Sequence, residues 1–177
     1  MARKTDKSYT GLSDKTRTAS GAALVKAVHA LEALVHQAKT AQYNTRGNPE
    51  AAGLVSLCES LVSLLHCLGD PLIKRAAVLA SQVNYNLAYV TKNSGLKPFP
   101  LDLEDPAEAV QILADAWMAV CEIAREQTQL MRDAGDLVSA HIAEHMSIEL
   151  ESSTTMIQDI LAGDAQEALE AIGTEAG

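Results

Sequence analysis

Residues 92–106 read KNSGLKPFPLDLEDP. Pro98, Pro100 and Pro106 each lack a backbone N–H, and Gly95 adds a conformationally free point, so the stretch cannot continue a helix. It ends a connector of more than 20 residues, from about Gln82 to Glu104. Such a length is unusual inside a compact domain. A weak helical period over Val83 to Val90 predicts a short helix within it.

On both sides the chain shows long helical patterns. The first spans about Ser20 to Thr45, with Leu24, Val28, Leu31, Val35 and Ala38 spaced by three and four. A second starts near Pro49, behind Asn48, with Leu54, Leu57, Leu61, Leu64, Leu65 and Leu68 on one face. It resumes from Leu72 to Leu79 after Gly69-Asp70-Pro71, where the helix either kinks or divides. A third opens at Pro106 with Asp105 as cap and runs to about Asp133, its stripe being Val110, Leu113, Trp117, Val120 and Ala124. The fourth covers about Asp136 to Leu161. Turns around Gly47 and Gly135 join the first and last pairs tightly. Short, long, short connections predict an all-α, four-helix bundle with one long crossover carrying a short helix, the ferritin-like arrangement.

Composition agrees. Hydrophobic residues make up 47% of the 177 but aromatic residues only 3%, so Leu, Val, Ile, Ala and Met must build the core. Cys58, Cys67 and Cys121 form no C-x-x-C pair and no disulfide scaffold, and their apolar neighbours suggest buried fillers. A reducing, cytoplasmic location is expected. No stretch approaches 18 consecutive apolar residues, and no membrane span or signal peptide is expected. The net charge of −9 disfavours nucleic-acid binding by the body of the protein. Residues 1–18 differ, with Arg3, Lys4, Lys7, Lys15 and Arg17 against Asp6 and Asp14. They read as a flexible basic arm suited to DNA phosphates. Residues 19–161 form the bundle domain, and 162–177 an acidic tail.

Two stretches carry a resemblance. KTAQYNTRG, residues 39–47, is similar to the K-x-A-H-W-N-x-x-G that ends the first helix of the Dps miniferritins, the DNA-protecting proteins of starved cells. Lys39, Ala41, Asn44 and Gly47 match, and Tyr43 stands for the tryptophan. LKPFPLD, residues 96–102, resembles that family's connector motif. The resemblance covers about residues 20–161. It implies a hollow shell of twelve identical subunits that stores iron and protects DNA from oxidative stress. It also implies a ferroxidase centre at each two-fold interface, with two His and an acid from one subunit and an Asp and a Glu from its neighbour. Here those positions hold Gln42, Val55 (across a gap of one residue), Glu59, Asp70 and Lys74. Only Glu59 and Asp70 remain as iron ligands. Val55 offers no donor, and Lys74 places a positive charge where a dication would sit. Lys74 can pair with Asp70 instead. The standard centre is therefore expected to be largely lost, which leaves enzymatic iron oxidation an open question.

Residues 141–145, HIAEH, spell the inverted zinc-peptidase signature. His141 and His145 lie one helical turn apart with Glu144 beside them. Such an enzyme needs a third ligand further downstream, and few residues follow. The miniferritin resemblance implies instead that Asp136, His141, Glu144 and His145 line a three-fold pore, a site for zinc or another divalent cation. Three functions follow as expectations: an iron-sequestering shell lacking its standard oxidation centre, a DNA-binding structural shell without ferroxidase activity, and a metal-dependent protein using the His141/Glu144/His145 face.

Overall fold

The computed structural model describes residues 10–162, and Arg3, Lys4, Lys7 and the acidic tail lie outside that range. The described residues hold six α-helices: α1 (Asp14–Thr45), α2 (Ala52–Val78), α3 (Leu87–Ser94), α4 (Pro106–Asp133), α5 (Leu137–Ser152) and α6 (Thr154–Leu161). A 3-10 turn, Pro49–Ala51, leads into α2.

Long-range hydrogen bonds fix the topology. Gln42 near the end of α1 meets Glu59 near the start of α2, so these two run antiparallel. Along the connector, Asn84, Asn93, Lys97 and Leu101 offer their carbonyls in turn to His29, Lys26, Gln37 and Asn44. The connector therefore climbs beside α1, and α4 starts at the end where α2 started. Thr16 near the start of α1 donates to the Ala134 carbonyl beyond α4, which makes α1 and α4 antiparallel. Arg125–Glu151 and Arg132–Glu144 pairs do the same for α4 and α5. Each long helix packs against two others, giving a four-helix bundle with α3 laid on α1.

The core follows the expected stripes. Leu24, Val28, Leu31, Val35 and Ala38 are all buried, as are Leu54, Leu57, Leu61, Leu65 and Leu68. Leu64 is only partly buried. Trp117 is fully enclosed between the bundle helices, and its indole N–H reaches Thr154 Oγ1 at 3.3 Å. Asp105 caps α4 by accepting from the Ala107 N–H.

Three boundaries differ from the sequence expectation, and of the two alternatives at Pro71 division does not occur. Helix α1 begins at Asp14, because Ser13 caps it by accepting from the Thr16 N–H. Lys15 and Arg17 are thus helical rather than part of a loose arm. Pro71 sits inside an unbroken α2, where its missing N–H leaves the Cys67 carbonyl without its helical bond. The short helix lies at Leu87–Ser94, shifted along the chain by the Asn86 cap and by Gly95, whose φ of +84° closes it. Helix four breaks at Ser153 into α5 and α6.

Two helices, Asp14–Thr45 and Pro49–Val78, are long and apolar enough to cross a membrane by length and composition alone, a test that core helices of a bundle also pass. The bundle explains their composition, since both supply core stripes.

Gly21 marks the tightest packing of the connector on α1. A Cβ there would meet Ser81 Oγ at 1.8 Å and Ser81 Cβ at 2.9 Å. The hydroxyl can rotate away, but the Cβ cannot. Gly21→Ala is expected to lower stability by about 1–3 kcal/mol, read as an earlier urea midpoint. Adding Ser81→Gly should recover part of that loss; no recovery would mean that this contact is not the cause.

Candidate metal centre

Glu59 sits on α2 near the end of α1. Its Oε1 accepts a hydrogen bond from Gln42 Nε2 at 2.9 Å. Val55 lies one helical turn before Glu59, half-buried, and its methyl groups face the same side. Where the resemblance implies two imidazoles and an acid, this chain has an amide, an aliphatic side chain and a carboxylate already engaged by the amide. These three positions supply one carboxylate, one amide and no imidazole.

Asp70 and Lys74 lie further along α2. Eleven residues separate Glu59 from Asp70, about 16 Å of helix. One chain therefore does not bring the five positions together. Lys74 Nζ stands 3.6 Å from Asp70 Oδ2, the i, i+4 pair expected from the sequence, with both side chains largely exposed. Among the described residues no three His, Cys, Asp or Glu side chains converge on a metal position.

The thiols differ from one another. Cys58 is buried beside Glu59, and burial pushes its thiol up to about 12, against a smaller opposing hydrogen bond with the Gln42 backbone. Burial also raises Cys121. Both are inert fillers, as expected. Cys67 is exposed, which corrects its reading as core: it lies on α2 beside the buried Leu68 but turned outward.

Asp136 is the clearest departure from expectation. The sequence reading placed it at a metal-binding pore. Its side chain is 1% exposed, and both oxygens are occupied. Oδ1 accepts from Arg75 Nη2 at 2.9 Å and from the Ser139 N–H at 3.1 Å; Oδ2 accepts from the Ser139 hydroxyl at 2.6 Å. Arg75 also donates from Nε to Ser139 Oγ. Asp136 is thus the cap of α5 and the bracket that ties it to the end of α2. Burial pushes its carboxyl upward, but the two Ser139 hydrogen bonds and Arg75 overcome that and hold it below the usual aspartate range. Nothing in the sequence pairs Arg75 with a residue so far along the chain.

HIAEH is divided between two grooves. Glu144 faces α4, where its Oε1 takes a 2.6 Å bond from Arg132, and it lines a groove with Arg125, Gln129 and Ser147. His141 and His145 line a different groove, between α5 and α2. A peptidase base must be free to activate water near the metal, and a Glu144 bonded to Arg132 is not. Arg17, expected to contact DNA, has a side chain only 12% exposed and is bonded to Asp14 at 2.6 Å. Lys15 is exposed.

No protein-family model and no curated protein matches this sequence. Solved structures do. A Dps protein from Vibrio cholerae O1, described as a member of a broad superfamily of ferritin-like diiron-carboxylate proteins, superimposes with a TM-score of 0.77 at 18% identity. The fold is that of the Dps proteins. That match covers 86% of this chain and 95% of the other. An archaeal Dps homologue from Halobacterium salinarum gives a TM-score of 0.75 at 19% identity, covering 91% and 94%. A mutant of Mycobacterium smegmatis Dps1 gives 0.77 at 21%, covering 85% and 99%. The Gln42–Glu59 bond and the Lys74–Asp70 pair are features of this chain's own residues within the Dps fold.

Proposed function

We propose that this chain is the subunit of a closed, hollow Dps-type shell of twelve copies that sequesters iron and shields DNA from oxidative damage, without the standard two-fold ferroxidase centre. The observation that carries the reading is likeness over nearly the whole of each Dps chain, 94% to 99% of their lengths. Assembly is supported by apolar side chains left outside the bundle. Leu130, Leu137 and Val138 are all more than half exposed around the turn from α4 to α5, a patch that contact between subunits would cover. Loss of the oxidation centre is supported by the chemistry at Gln42, Val55 and Lys74. Iron is here a cargo, held within the shell. A divalent cation in a three-fold pore would have to rely on His141 and His145, because Asp136 and Glu144 are engaged within the chain.

The reading is tested on the purified full chain. Sedimentation should give a particle near twelve times 18.8 kDa. Ferrous iron added without oxygen, then exposed to peroxide or oxygen, should develop ferric absorbance at the protein-free rate. A monomer or dimer at assay concentration sinks the shell. Rapid oxidation with mineral retained in solution sinks the loss of the centre. DNA protection by the basic arm predicts binding that weakens steeply with salt and disappears when residues 1–12 are removed. Salt-insensitive binding that survives the truncation would oppose it.

A further inference from the structure

We propose that the groove between α2 and α5 is a binding site for a borderline-soft divalent cation of the zinc class, held within a single chain by His141, His145 and the thiolate of Cys67. The groove has a volume of about 430 Å³, with Leu64, Leu68, Ile142 and Met146 among the side chains of its walls. Cys67 lines it from α2, and His141 and His145 line it from α5.

Three observations support the site. First, the two imidazoles are one helical turn apart on the same side of α5, the spacing at which a helix presents two nitrogen ligands to one metal. Second, each imidazole has a carboxylate nearby. His141 Nδ1 is 3.9 Å from Glu144 Oε2, and His145 Nε2 is 3.8 Å from Glu149 Oε1. At these separations neither pair is a hydrogen bond, so the ring nitrogens of both imidazoles stay available to a metal. Third, the only exposed cysteine of the three faces the same groove, while the two buried ones are inert. Thiolate and imidazole together select zinc, and also copper, over magnesium or calcium.

The three side chains are not drawn together as the protein stands. His141 and His145 are largely exposed, at 84% and 69%, and metal binding would require both to turn toward Cys67. Binding would then cross-link α2 to α5 beside Pro71, where α2 lacks a backbone bond. The site is distinct from the Glu59/Asp70 region and needs no second copy of the chain; it shares its imidazoles with the three-fold pore reading and is told apart from it by the thiolate ligand and by one ion per chain rather than one per three.

The test uses tag-free, metal-stripped full-length protein kept reduced by a phosphine, titrated with cobalt(II) as a spectroscopic substitute for zinc. One cobalt per chain should bind, with a near-ultraviolet charge-transfer band from thiolate ligation. His141→Ala and His145→Ala should each weaken binding at least about tenfold, because either change reduces a chelate to a weaker contact. Cys67→Ser should abolish the charge-transfer band. His36→Ala, on an exposed face of α1, should change nothing. All four variants alter exposed side chains, and sedimentation in the same buffer reports assembly separately. Absence of saturable binding, or affinity unchanged by the His141→Ala/His145→Ala pair, overturns the site. A band that survives Cys67→Ser overturns the thiolate.

Discussion

Asp136→Ala is expected to lower the unfolding free energy by about 3–5 kcal/mol, the cost of removing one partner from a buried ion pair. The carboxylate is 1% exposed and the Arg75 side chain 12%. Without Asp136 the guanidinium keeps only its bond to Ser139 Oγ, and α5 loses its cap. Asp136→Asn retains a capping oxygen without the charge, so it should fall between wild type and Asp136→Ala. A double-mutant cycle with Arg75→Met isolates the pair. If Asp136→Ala is as destabilised with Arg75→Met as without it, the stranded guanidinium is not the source. The pH dependence follows from the lowered carboxyl. Its stabilising contribution is fully present above the ordinary aspartate value, about 3.9, and is lost as pH falls through the lower folded value. Wild type should therefore show an acid-dependent drop in urea midpoint in that window, and Asp136→Asn should lack that part of it.

The bundle could be read from the chain because its determinants are local. Leu24 through Ala38 and Val110 through Ala124 repeat at helical spacing, and Asp105-Pro106 announces a helix start by its own chemistry. The crossover was legible because prolines and Gly95 exclude helix over a stretch too long for a simple turn. Where the sequence misled, a cap or a partner lay outside the periodic signal. Ser13 starts α1 among basic residues that look like a tail. Asn86 and Gly95 place α3 more firmly than the apolar period over Val83 to Val90 does. Ser152 and Thr154 donate their hydroxyls back to the Ile148 and Leu150 carbonyls where α5 gives way to α6. The site was less legible for a related reason. Lys74–Asp70 is an i, i+4 pair and was foreseen. Arg75–Asp136 and Arg132–Glu144 join separate helices, and these two bonds remove Asp136 and Glu144 from the metal-binding set. Cys67 has Leu64, Leu65 and Leu68 as neighbours, yet its place on the helix turns it toward the α5 groove.

Ferrous oxidation is expected to rise at least about tenfold above wild type, about 1.4 kcal/mol in the barrier, in the triple variant Gln42→His/Val55→His/Lys74→Glu. Each change corrects a separate defect. Gln42→His replaces the amide that holds Glu59 and supplies an imidazole nitrogen. Val55→His sets a second imidazole one turn before Glu59 on the half-buried face of α2. Lys74→Glu removes the repelling charge and leaves two carboxylates one turn apart, Asp70 and the new one. The change at 74 costs little, since the Lys74–Asp70 pair is exposed and spans 3.6 Å, worth roughly 0–1 kcal/mol. Lys74→Glu alone should leave oxidation at the protein-free rate, because no imidazole is present to complete the ligand set. Glu59 and Asp70 lie about 16 Å apart along α2 within one chain, so activity in the triple variant requires a second copy to supply Asp70 and position 74. Oxidation that tracks the assembled particle and vanishes in dissociated chains would place the rebuilt centre between subunits. An assembled triple variant that still oxidises iron at the control rate would mean that Glu59 and Asp70 do not face each other across an interface, and that this Dps-like chain has lost the geometry of the centre as well as its ligands.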